Sequence, residues 1–159
     1  MKILVAYYSW KGHTETVARD LAGKLNATTV KIEPLSDPGS GMFGKVLKAL
    51  FGMKGAIKPC QTDMKEFDHL VLATPVWAQK IPPYTRQYLA DLTNCSGKKF
   101  SVLAEMGGSG AESVIGIVKK ILVAKGMIFV ASAATVEKDV EAQQVGTKIE
   151  EFVKKIQAG

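Results

Sequence analysis

The chain has 159 residues, 47% hydrophobic and 23% charged, with 21 basic against 15 acidic side chains for a net charge of +6. That length fits one domain, residues 1–159, with a sizeable core, and no run approaches the roughly 20 apolar residues that cross a bilayer. Cys60 and Cys95 are too few and too far apart for a disulfide framework or a metal-ligand set, and the spread of the lysines reads as solvated helix faces rather than a nucleic-acid patch.

Residues 2–8 form an apolar run too short for a secretory leader and read as a first buried strand. With two unpaired thiols, the expectation is a cytoplasmic protein, monomeric or weakly dimeric. Val17, Ala18, Leu21, Ala22 and Leu25 repeat at helical spacing, with Arg19, Asp20 and Lys24 between them. Residues 28–32 are a second short strand. Met42, Phe43, Val46, Leu47, Leu50 and Phe51 make the next helical stripe, with Lys45 and Lys48 opposite. Residues 70–74 are a third strand. Pro82 and Pro83 then open a helix carrying Tyr84, Tyr88, Leu89 and Leu92, since proline suits a first helical turn. Residues 100–104 are a fourth strand. Val114, Ile115, Val118, Ile121 and Leu122 mark a helix that stops near Gly126. Residues 127–134 are a fifth strand, and Val145, Ile149, Phe152, Val153 and Ile156 make the last helix.

Five strands therefore alternate with five helices. The strands are continuous apolar runs, as in parallel sheets covered on both faces. Right-handed crossovers leave few windings, and five strands favour order 2-1-3-4-5 in a three-layer α/β sandwich. Ligands of such sheets bind beyond the carboxyl ends of the strands. The loops at 9–14, 75–80 and 105–110 are thus the expected place for chemistry.

In the first loop, Ser9, Trp10, Lys11, Gly12, His13 and Thr14 lead into a helix. Two hydroxyls, a permissive glycine and a helix N-terminus are what a phosphate monoester needs. The same residues also read as a plain helix start with Thr14 as its cap. In the second, Thr74, Pro75, Val76, Trp77 and Ala78 place a flat aromatic face beyond strand three, suited to stacking on a ring or to capping the core. In the third, Glu105 closes the strand, and Met106, Gly107 and Gly108 let backbone approach a ring closely or simply turn. Rival motifs fail. Gly-Lys at 23–24, 44–45 and 97–98 is not followed by Ser or Thr, and the glycine run at 39–44 lacks a tight strand-to-helix turn before it. A phospho-receiver would need acidic residues where this chain has Ser9 and Thr74.

Tyr7-Tyr8-Ser9-Trp10-Lys11-Gly12-His13-Thr14 resembles the FMN-phosphate loop of the flavodoxin family, with His13 where Asn is commoner and Lys11 where a hydroxyl is commoner. Pro75-Val76-Trp77-Ala78 is similar to the second flavin loop of small members, and the element order matches along the whole chain. The resemblance implies a flavodoxin-like fold and an FMN cofactor. It implies phosphate contacts from residues 9–14 and ring contacts from residues 74–78 and 105–108. It also implies electron transfer with partner redox proteins, which a basic surface selects as acidic ones. A positive field also favours reduced, anionic flavin. The glycine-rich third loop keeps a second reading open, a small FMN-dependent NAD(P)H or quinone oxidoreductase. Lys45, Lys48, Lys54 and Lys58 read as the solvated side of a crossover helix or as a docking surface for an acidic partner or a membrane.

Overall fold

The computed structural model describes residues 1–36 and 52–159. The expected helix at 42–51, its Lys45 and Lys48, and the glycine run at 39–44 lie outside the described residues. The strands are β1 (Ile3–Tyr7), β2 (Thr28–Lys31), β3 (His69–Pro75), β4 (Lys99–Met106) and β5 (Ile128–Val136). Every pairing is parallel and the order is β2-β1-β3-β4-β5. The described helices are α1 (His13–Leu25), α2 (Pro83–Asp91), α3 (Ala111–Ala124), α4 (Glu137–Glu141) and α5 (Gly146–Ala158).

Strand periodicity of two separates the side chains into two cores. Leu4, Ala6, Leu70, Leu72, Phe100 and Val102 face one layer, where Tyr88 and Leu89 of α2 and Val114, Val118 and Leu122 of α3 cover them. Ile3, Val5, Tyr7, Val71, Ala73 and Leu103 face the other, covered by Val17, Ala18 and Leu21 of α1 and by Ile149, Phe152 and Ile156 of α5. Burial on both faces explains why β1 and β3 read as unbroken apolar runs. Strand β2 stands at the edge, and its residues are largely exposed. No described helix is long and apolar enough to cross a membrane.

Two differences from the sequence reading bear on the site. Strands β3 and β4 run further than their apolar cores, so Pro75, Glu105 and Met106 are strand residues rather than loop residues. Strand β5 likewise runs to Val136 and feeds a short helix, α4, that hydrophobic spacing did not show. A register irregularity between Phe100 and Ser101 sets Glu105 beside Thr135. The chain winds from β1 outward to β2 and back across to β3, so the switch point of the sheet lies between β1 and β3, at their carboxyl ends.

Candidate functional site

The loop after β1 is set by Gly12, which holds φ at 97° and forms the N-terminal boundary of α1. A side chain there would meet nothing within 4 Å, so glycine serves the backbone conformation and not a close approach. The Gly12 N–H donates to Ser9 Oγ at 3.1 Å, which folds the loop back on itself. No side chain caps α1. The capping role open to Thr14 is therefore not what it does. Thr14 lies inside the first turn, 1% exposed, and its hydroxyl donates to Glu105 Oε2 at 3.2 Å. The positive end of the α1 dipole thus opens toward the cleft with its first N–H groups free of side-chain caps.

The loop after β3 is a tight turn. Trp77 and Lys80 exchange backbone hydrogen bonds at 3.0 and 2.9 Å. Ala78 (φ 48°) and Gln79 (φ 61°) both lie in the left-handed region, as a type I′ turn requires. Neither is glycine, so each holds strain of about 1–2 kcal/mol that packing must offset. That packing comes from the start of α3. Gly110 has φ 95°, and a Cβ on it would sit 2.9 Å from Val76 Cγ1 and 3.2 Å from Gln79 Cα. Ser113 Oγ donates to the Gln79 carbonyl at 2.8 Å, and Val76 N–H donates to the Glu105 carbonyl at 2.8 Å. The turn holds Trp77 at 8% exposure, its ring edge-on to Tyr8 (5.7 Å) and to Trp10 (5.9 Å). Trp10 lies at the rim, 36% exposed.

A fourth segment completes the site. Glu137, the first residue of α4, receives Lys11 Nζ at 3.2 Å and faces His13 Nδ1 at 3.3 Å, while Glu141 faces His13 Nε2 at 3.1 Å. This clasp ties the first loop to the end of β5. The ligand atoms of His13, Glu137 and Glu141 lie within 4.8 Å of one another, close enough for a cation to bridge, but the Lys11 ammonium already shares Glu137 and would repel one. Glu105 lies just inside, 7% exposed. Burial pushes its carboxyl above the ordinary range and nearby Glu137 adds to this, against the Thr14 hydroxyl, His13 and Lys11, which pull it down.

These segments enclose an open cleft of about 260 Å³. Its walls are Ser9, Trp10, Lys11, His13, Thr14, Pro75, Val76, Trp77, Ala78, Glu105, Gly107 and Glu137. Eleven of these were singled out in the sequence; Glu137 was not. Four singled-out residues stand off the walls. Gly12 shapes the backbone, and Gly108 has open space around it. The Thr74 hydroxyl turns into the opposite layer to meet Thr85 Oγ1 at 2.9 Å. Met106 packs against that same layer and not over the cleft. Sequence spacing hides Glu137, because its signal is only a pair of acidic residues in the first turn after β5. The rule that all strand ends converge at one edge would have pointed to it.

A family profile described as NADPH-dependent FMN reductase matches residues 1–141. The chain belongs to that family. FMN is the cofactor this membership brings. Among solved structures, the chain resembles a flavoprotein from Lactobacillus acidophilus in complex with FMN, at 18% identity over 89% of this chain and 97% of that one, with a TM-score of 0.71. It resembles oxidised flavodoxin 2 from Bacillus cereus at 20% identity over 99% of both chains, TM-score 0.64. It also resembles an azoreductase from Bacillus anthracis at 16% identity over 97% and 98%, TM-score 0.57. At these identities the likeness shows a common flavodoxin-like fold. A search of curated protein sequences finds no match.

Proposed function

We propose that this chain binds FMN in the cleft and works as a small NAD(P)H-dependent oxidoreductase, its flavin reduced directly by a nicotinamide. Bound FMN supplies the hydride and electron chemistry. The chain's own residues supply the hold and the access. The uncapped start of α1, the Ser9 hydroxyl and Lys11 suit a phosphate group, and His13 adds a donor at the same place. Trp77, mostly buried, and Trp10 at the rim line the cleft edge-on to each other and give a ring system apolar contacts. No metal ligand set or nucleophile–base pair is called on.

One observation favours the reductase over a carrier. The third loop presents only Gly107 to the cleft, Gly108 has open space around it, and Met106, partly buried at the end of β4, packs against the opposite layer and does not line the cleft. Among the described residues the aromatic rings lie on one side of the cleft and none comes from the third loop, which leaves a path for a second planar molecule. The family match supports this reading, and the resemblance to an azoreductase fits it.

A second reading is electron exchange with partner redox proteins, supported by the likeness to flavodoxins; the +6 charge would then select acidic surfaces. Two free thiols, Cys60 and Cys95, fit a reducing cytoplasm under either reading. The deciding experiment is anaerobic titration of the FMN-loaded protein with NADPH and NADH, followed by dithionite, watched by visible absorbance. Bleaching by a nicotinamide at one equivalent is expected. Bleaching by dithionite alone would replace the reductase reading with the carrier one.

A further inference from the structure

The phosphate end of the cleft carries a feature that works against a phosphate. A dianion belongs where the donors are, yet two carboxylates already occupy them. Thr14, the buried hydroxyl of the first helical turn, is spent on Glu105 at 3.2 Å. Lys11 and His13 are spent on Glu137 at 3.2 and 3.3 Å. Glu137 is partly exposed and on a five-residue helix, so it can swing into water. Glu105 cannot. It is fixed at the end of β4, 7% exposed, with backbone bonds through Val76 on one side and register pairing to Thr135 on the other.

We infer that Glu105 is the residue that sets the site's choice between phosphorylated and unphosphorylated flavin, because FMN enters the loop only as Glu105 takes up a proton. The inference rests on the flavin reading of the cleft. Two like charges sharing a buried site cannot both stay ionised at low cost. The phosphate either keeps Glu105 protonated or binds weakly. The groups that face Glu105 are Lys11 from the first loop, His13 and Thr14 from α1, and Glu137 from α4. The Lys11 ammonium and the His13 ring would be drawn onto the phosphate, which leaves Glu105 and Glu137 less compensated than before. Thr135, its register neighbour on β5, has a fully buried hydroxyl with no hydrogen-bond partner among the described residues. Riboflavin has the same ring and side chain without the phosphate and makes no such demand.

The experiment is calorimetric titration of the wild-type protein and of Glu105→Gln with FMN and with riboflavin, at pH 8 in two buffers of different ionisation enthalpy. For wild type, FMN binding should take up close to one proton and riboflavin binding none, with the two affinities within about tenfold of each other. Glu105→Gln keeps the shape and removes the charge. It should abolish the proton uptake and raise the ratio of FMN to riboflavin affinity at pH 8 at least tenfold. The wild-type proton count stands even if the variant fails to fold. FMN bound by wild type without proton uptake, or uptake that persists in Glu105→Gln, would overturn the inference and leave the flavin site standing. No binding of either flavin would overturn both.

Discussion

Replacing Gly110 with alanine tests whether the strained second loop is held by the start of α3. At φ 95° any L side chain costs about 1–2 kcal/mol. The added Cβ would also sit 2.9 Å from Val76 Cγ1, 3.1 Å from Gln79 Cγ and 3.2 Å from Gln79 Cα. The last of these is backbone and cannot rotate away, so overpacking adds about 1–3 kcal/mol. Gly110→Ala should therefore lower stability by about 2–5 kcal/mol in urea denaturation. Gln79 is one of the two left-handed residues that aim Trp77, so the same push should disturb the aromatic wall. FMN affinity should fall in the fraction that remains folded, and the fluorescence of Trp10 and Trp77 should shift. Gly108→Ala is the internal control. It has no positive φ and nothing within 4 Å, so its effect should stay within about 0.5 kcal/mol. Equal stability and equal flavin binding in the two variants would refute the reasoning.

Two other outcomes follow from buried polar groups away from the cleft. His69, wholly buried at the start of β3 with Nε2 against Ser101 Oγ at 2.9 Å, is pushed down to about 4, by burial first and Lys99 second. A depressed histidine stabilises the fold above its unfolded value of about 6.5 and loses that contribution as pH falls toward 4, in total about 3 kcal/mol. The NMR signals of the His69 ring should show it neutral until near pH 4, and a midpoint above 6 would remove this source of acid sensitivity. Thr74→Val leaves Thr85 without its buried partner and should cost about 1–3 kcal/mol in urea denaturation. Flavin affinity should not change, since the Thr74 side chain faces α2; a loss of flavin binding at unchanged stability would put Thr74 back in the site.

The strand order and the three cleft loops were legible because their signals are local. Apolar runs at 70–74 and 100–104 announce strands buried on both faces, and Ser9 to Thr14 shows its glycine and hydroxyls in six residues. Side-chain direction beyond a strand's apolar core was not legible. Glu105 and Thr74 both read as residues near the ligand, but the pleat sends one into the α1 layer and the other into the α2 layer. The tight turn at Ala78 and Gln79 was hidden as well, because type I′ turns usually announce themselves with Asn or Gly, and here tertiary packing by Gly110 enforces the conformation. Glu137 was missed because its pairing with Lys11 spans 126 positions.

The net charge describes the whole surface, whereas the groups lining a site act on it at short range. A surplus of +6 suggests a positive field at the flavin, favouring the reduced anion. Yet among the described residues lining the cleft the Lys11 ammonium faces two carboxyls, Glu105 and Glu137, with Glu141 just outside. Groups more than about 10 Å away are screened by salt, whereas those at 3 Å in a partly buried cleft are not. Under the proposed function the remaining lysines would act on approach, so that association with anionic reactants should slow as salt is raised. On the Glu105 inference, flavin affinity should respond to pH far more than to salt, because the group that opposes the phosphate lies inside the cleft and titrates.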